Sequence, residues 1–246
     1  MPPMLPYTKP KVMERGVFPA GVEVHGEKYM GMTRALAPGE MYTAEKGSML
    51  WMSDGVQMSM AFNMSTIFSG EGLFRINFQN TANDQNAFVG IGANAPMGSL
   101  IPVHLKSHNG ALYAKRGAWL ANDPGVEVAP AFLPTRSMVA CCAGGMSPLI
   151  QKISARGDET AVLNAGGTVL RLDLALGEEV LVDTGSVVAF TEGVRFEVRR
   201  VGSLGTCLFA GEACFNTLLV GPGTVYVQTV SYERIIANFA TNHASS

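Results

Sequence analysis

The sequence predicts an all-β protein made of three tandem copies of one β-unit, packed around a pseudo-threefold axis. Three observations predict it. Apolar and polar side chains alternate with a period of two along most of the chain, which is the pattern of a half-buried strand. Turn signals separate these runs: Pro38-Gly39, Asp54-Gly55, Asn109-Gly110, Pro124-Gly125, Glu192-Gly193 and Pro222-Gly223. The glycines also recur at a long, nearly constant period.

Composition limits the function classes. The chain has 246 residues, of which 47% are hydrophobic and 15% charged, so it is not a disordered or solvating protein. A fold of this size buries roughly 70% of its unfolded surface and needs no disulfide staple. The formal net charge of −2 argues against binding nucleic acid or an anionic membrane by bulk charge. Mean hydropathy is +0.18, yet no apolar run approaches the roughly 18 residues of a spanning helix. No transmembrane segment is expected.

Residues 1–19 contain Met1–Gly16, MPPMLPYTKPKVMERG, rich in proline and without the apolar core of a secretory signal. They read as an extended arm, able to clasp a neighbour. The first β-unit is placed at residues 20–98. In Gln57–Met64, Met58, Met60, Phe62 and Met64 share one face of a strand, and Gln57, Ser59, Ala61 and Asn63 the other. The second unit, 99–167, holds a strand near Ile101–Leu105 followed by a turn at Lys106–Gly110. The third, 168–246, alternates Leu170, Leu172 and Leu174 with Arg171 and Asp173, and Val194, Phe196 and Val198 with Arg195, Glu197 and Arg199. Tyr232–Ala240 is the one short stretch with helical character.

The repeat is read from three glycines in each copy. Gly47, Gly117 and Gly185 are 70 and then 68 residues apart. Each is followed eight residues later by Gly55, Gly125 or Gly193, and preceded by Gly39, Gly110 or Gly177. SGEGLFRI at Ser69–Ile76 matches AGEACFNT at Ala210–Thr217, and AGGMSPLI at Ala143–Ile150 is the weaker middle copy. A unit of about 70 residues is too small to bury its apolar faces alone, so the copies should pack together. Glycine at one place in each copy marks a turn with positive φ or a close backbone approach.

These residues carry a resemblance. Gly70–Phe74 (GEGLF), Gly211–Phe215 (GEACF), Arg116–Val128 (RGAWLANDPGVEV), Leu174–Phe190 (LALGEEVLVDTGSVVAF) and Val194–Gly202 (VRFEVRRVG) together resemble the altered-inheritance-of-mitochondria family, member twenty-four, over roughly residues 20–238. The resemblance implies three units similar to the tryptophan RNA-binding attenuation protein, each a short, cupin-like double-stranded β-helix. It implies no assigned enzymatic activity and, in yeast relatives, a link to mitochondrial inner-membrane organisation. The middle copy departs from the pattern with Gly144-Gly145-Met146, and the first is unusually rich in methionine.

The residues themselves offer little catalytic chemistry. His25, His104, His108 and His243 include no His-x-His pair, and no metal or cofactor is expected. Cys141, Cys142, Cys207 and Cys214 have no zinc spacing and read as small buried hydrophobes. Glu71 and Glu212, each after a glycine (Gly70, Gly211), read as turn-capping acids, with approach to the pseudo-axis as the alternative. Arg195, Arg199 and Arg200 interleave with Glu197 and lack an aromatic stacking stripe, so nucleic acid is not an expected partner. The Met-rich face of Met58, Met60 and Met64 reads as core or, alternatively, as an interface for another subunit. The sequence therefore favours a non-enzymatic scaffold or assembly protein, a homo-oligomer or a member of a complex, in an intracellular setting, mitochondrial or cytoplasmic. The alternatives are a module holding a small molecule or lipid tail, and an enzyme with a dispersed site.

Overall fold

A computed structural model describes residues 10–13, 16–27, 29–61, 75–82, 85–95, 97–133, 147–200, 215–232 and 235–236. Its elements are strands joined by tight turns. The first region holds β1 (Lys11–Val12), β2 (Val22–His25), β3 (Gly31–Leu36), β4 (Met41–Glu45), β5 (Met49–Met52), β6 (Val56–Ala61), β7 (Arg75–Asn80) and β8 (Ala87–Gly92). The second holds β9 (Gly98–His104), β10 (Ala111–Ala114), β11 (Trp119–Asn122), β12 (Glu127–Phe132), β13 (Leu149–Ser154) and β14 (Thr160–Gly166). The third holds β15 (Val169–Leu174), β16 (Glu179–Asp183), β17 (Val187–Thr191), β18 (Arg195–Arg200), β19 (Phe215–Val220) and β20 (Gly223–Gln228).

The same antiparallel pairings occur three times. β3 pairs with β8, β9 with β14 and β15 with β20. β8, β14 and β20 pair on their other side with β5, β11 and β17. β7, β13 and β19 each run between two strands: β4 and β6, β10 and β12, β16 and β18. Two further pairings join successive regions, β4 to β11 and β10 to β17. They fuse half-sheets into a six-stranded sheet, β6-β7-β4-β11-β14-β9, and a seven-stranded one, β1-β15-β20-β17-β10-β13-β12. The remaining half-sheets stay separate, as β2-β3-β8-β5 and β16-β19-β18.

Three apolar clusters lie between these sheets. The first gathers Leu36, Tyr42, Phe78, Val89 and Ile91 with Leu120, Ala121 and Val162 from the second region. The next gathers Leu112, Trp119, Ile153 and Leu163 with Val188, Ala189 and Tyr226 from the third. The last gathers Phe190, Phe196, Leu219 and Val225 with Leu133 and Ile150. Trp119 is buried, and its Nε1–H donates to Asn122 Oδ1 at 3.0 Å, so its polar tip is satisfied.

Two features read from the sequence take a specific form in the structure. The described part of the N-terminal arm pairs with its own chain: Lys11 and Val12 lie opposite Arg171 and Leu170, and the Met13 N–H donates to the Val169 carbonyl. The repeated glycines are also not equivalent. Gly47 and Gly117 have φ of +80° and +73°, the left-handed region that disfavours other residues. Gly185 instead lies in a 3-10 turn, Thr184–Ser186, outside that region. Gly125 is left-handed and Gly55 and Gly193 are not; at Gly193 a side chain would meet the Pro222 carbonyl, and at Gly55 it would make only ordinary contact. Of the helical stretch expected at Tyr232–Ala240, Tyr232 and residues 235–236 are helical, and the rest lies outside the described residues.

Candidate functional site

The site is built on a bulge that recurs in β5, β11 and β17. The ladder slips between Met49 and Trp51, between Trp119 and Ala121, and between Val187 and Ala189. A bulge sets two successive residues against one on the neighbouring strand and turns both toward one face. In β11 this pair is Leu120 and Ala121; in β17 it is Val188 and Ala189; both pairs are buried in the cluster of the preceding region. In β5 the pair is Leu50 and Trp51, which are 54% and 41% exposed.

The register shows that this is the same face. Trp51 lies opposite Gly90, Ala121 opposite Val162 and Ala189 opposite Tyr226. Val162 and Tyr226 are buried in the preceding cluster. The large side chain has moved from one strand to the next: Tyr226 beside Ala189 in the third region becomes Trp51 beside Gly90 in the first. A side chain on Gly90 would collide with the Trp51 indole, and Leu50 lies over Gly31 and Gly92. Phe88 continues the exposed face. The His25 ring is tilted against Trp51 with centroids 6.0 Å apart, and its Nε2 hydrogen-bonds Thr33 Oγ1 at 2.7 Å.

The expected Met face lies next to this one in sequence. Met58 and Met60 are half-exposed, and their strand neighbours Gln57 and Ser59 are exposed. They are not core residues: residues 57–60 of β6 are exposed on both faces of the strand. Met64, Gly70, Glu71, Gly211, Glu212, His243 and all four cysteines lie outside the described residues. Sequence reasoning does not single out Leu50, Phe88 or Leu181. The available signal was Trp51 itself: four residues after the central glycine, the other copies have Ala121 and Ala189.

A second, polar feature is a cleft of about 310 Å³ near the central turns, lined by Glu45, Asn94, Lys115, Arg116, Asn164 and Gln228 among others. Its amides are committed to structure. Asn164 Nδ2 donates to the Gly117 carbonyl at 2.9 Å, and its Oδ1 accepts from Ala95 N–H at 2.7 Å. Gln228 Nε2 donates to the Gly185 carbonyl at 3.1 Å, and its Oε1 accepts from Gly166 N–H at 2.9 Å. Burial raises the Glu45 carboxyl above its ordinary pKa, and the hydrogen bond from Asn94 opposes this.

The described histidines beyond His25 are also engaged. His104 hydrogen-bonds Thr160 Oγ1 and the Val17 carbonyl at 3.0 and 2.8 Å. His108 Nε2 is 2.9 Å from Tyr226 Oη. Burial, aided by Arg171, lowers the His108 pKa, and burial pushes Tyr226 up to about 12. Arg195 and Arg199 both contact Glu197, at 3.0 and 3.5 Å. Among the described residues, no three His, Cys, Asp or Glu side chains gather as a metal site.

The geometry defines an all-β protein whose first sheet presents outward a face that its later counterparts bury. Residues 22–230 match the mitochondrial biogenesis AIM24 family, and the chain belongs to that family. A crystal structure of a Streptococcus pyogenes protein is similar over 90% of this chain and 98% of its own, with a TM-score of 0.69 and 16% identity. Similarity at that identity is one of fold. No curated protein matches the chain. Among the described residues, no helix is long and apolar enough to cross a membrane.

Proposed function

We propose that the protein is a non-enzymatic structural component that acts through protein–protein contacts, in the setting of mitochondrial biogenesis that its family names. The observation that carries this reading is the exposed face of Leu50, Trp51 and Phe88. Its counterparts in the second and third regions are buried sheet-packing surfaces. An apolar face of this kind on a folded protein marks an interaction site. The finer architecture is three double-stranded β-helix units similar to the tryptophan RNA-binding attenuation protein, arranged about a pseudo-threefold axis; the threefold recurrence of the strand pairings supports it. The pairing of Arg195 and Arg199 with Glu197 supports a solvated strand face over an RNA-binding one.

The test is the size of the native complex in cell extract, compared between the natural chain and Trp51→Arg. The substitution places a charge on an exposed position and should leave the fold intact. Loss of a complex larger than the 26.1 kDa chain is the expected result. A complex that survives Trp51→Arg unchanged, or a natural chain that is monomeric in extract, overturns the reading.

A further inference from the structure

The polar cleft takes side chains from all three regions and sorts them by chemistry. Glu45 and Asn94 come from the first, Lys115 and Arg116 from the second, and Gln228 and Tyr232 from the third. Glu45 and Lys115 hold the same place in their copies, two residues before Gly47 and Gly117, so divergence of the repeat has set opposite charges into one cleft. The donors stand together. Lys115 Nζ and Gln228 Nε2 both donate to the Gly185 carbonyl, at 3.3 and 3.1 Å, which holds the ammonium beside the amide. That bond uses one Nε2 hydrogen of the buried Gln228 and leaves the second without a partner among the described residues. The acceptors lie on the first-region wall. Glu45 Oε2 accepts from Asn94 Nδ2 at 2.9 Å, and Glu45 Oε1 and Asn94 Oδ1 take no further hydrogen bond among the described residues. Glu45 forms no ion pair there either; Lys46, its neighbour in the chain, is the cation that eases its burial.

We propose that this cleft binds a small zwitterion, a molecule with a carboxylate at one end and an ammonium at the other. The carboxylate is received by Lys115, Arg116 and the second Gln228 N–H, and the ammonium by Glu45 Oε1 and Asn94 Oδ1. Both contacts are charge-assisted, the stronger class of hydrogen bond. Other ligand classes suit the lining less well. A simple anion would bring a like charge toward Glu45, whose ionised form burial already disfavours. A simple cation would meet Lys115 and Arg116, and a neutral polyol would compensate neither charge. The volume of about 310 Å³ lies at the small end of ligand pockets and suits an amino acid on a short carbon chain. Val230 and the exposed Tyr232 offer that chain an apolar side. The bound molecule bridges the first region to the second and third. The site shares no residue with the exposed face of Leu50, Trp51 and Phe88, so it stands apart from the contact-based function above.

The test is isothermal titration calorimetry on the purified full-length chain. The probes are four zwitterions of increasing length: glycine, β-alanine, 4-aminobutyrate and 6-aminohexanoate, each raised to about 10 mM so that millimolar affinity is detected. Butyrate and butylamine, each carrying one of the two charges, are the controls. At least one zwitterion should bind one-to-one, at least about tenfold tighter than either control, because each control lacks hydrogen bonds to a charged group. Failure of all four to bind, or a control that binds as tightly as the best zwitterion, overturns the proposal. In Glu45→Gln that zwitterion should bind no better than butyrate binds the natural chain. In Arg116→Gln, at an exposed position, its affinity should fall at least about tenfold. Full affinity in either variant also overturns the proposal, and if Glu45→Gln does not fold, Arg116→Gln carries the test. Trp51→Arg should bind the zwitterion as the natural chain does, so that loss of the ligand and loss of the native complex are read separately.

Discussion

Leu50 and Leu120 are the same residue at the same place in two copies of the repeat, three positions after Gly47 and Gly117. Leu120 is 0% exposed and lies in the cluster with Tyr42, Phe78 and Ile91. Leu50 is half in solvent over a floor of glycines. Truncating a fully buried leucine costs about 2–5 kcal/mol, from lost transfer energy plus the cavity left behind. Truncating a half-exposed one loses roughly half of the about 1.5–3 kcal/mol that full burial supplies, and opens no cavity. At about 2–4 °C per kcal/mol for a chain of this size, Leu120→Ala should lower the melting temperature by roughly 4–20 °C and Leu50→Ala by about 1.5–6 °C. The assay is thermal unfolding by circular dichroism in dilute solution. Equal losses for the two variants in dilute solution would refute the reasoning, since Leu50 would then be buried within the single chain.

Other predictions use different parts of the fold. The lowered pKa of His108 means that the folded state resists its protonation. Stability is therefore complete above the usual histidine pKa of about 6.5 and is lost as pH falls below it toward the lowered folded value; His108→Gln should flatten the melting temperature between about pH 7.5 and 5.5, and an unchanged slope would assign it elsewhere. Asn164→Ala removes the donor to Gly117 and the acceptor for Ala95. A loss of about 1–3 kcal/mol is expected by denaturant titration, and a neutral result would show that water replaces both bonds. Gly90→Ala forces the Trp51 indole off the sheet. With Trp119 replaced by Phe so that a single tryptophan remains, iodide quenching of Trp51 should increase, and unchanged quenching would mean that the ring does not lie on Gly90.

Much of the strand layout was legible because a strand with one buried face must alternate, and Thr168–Leu174 and Val194–Val198 do so clearly. The central glycines marked the turn that every copy makes, yet not its conformation. In the third copy Thr184 is buried, its Oγ1 accepting from Thr217 Oγ1 at 2.9 Å, and the turn closes as a 3-10 turn without a left-handed residue at Gly185. The fate of the bulge pair was hidden for a different reason. Leu50-Trp51, Leu120-Ala121 and Val188-Ala189 are all apolar doublets after the same glycine, and only the presence or absence of a facing half-sheet decides which are buried. Met58 and Met60 illustrate the same limit. Their alternation is real, but residues 57–60 are exposed on both faces of β6, so it has no buried side to report.

The strand made by Lys11 and Val12 has a temporal consequence. Lys11 lies opposite Arg171, so its docking place is synthesised 160 residues after it. At roughly 5–20 residues per second, Lys11 and Val12 wait about 10–30 s before the strand they pair with has been made. Closing so long a loop ranks this pairing among the late events of folding. During that interval the strands of the first two regions are made while Lys11 and Val12 remain unpaired, and the third region is what finally stitches them down.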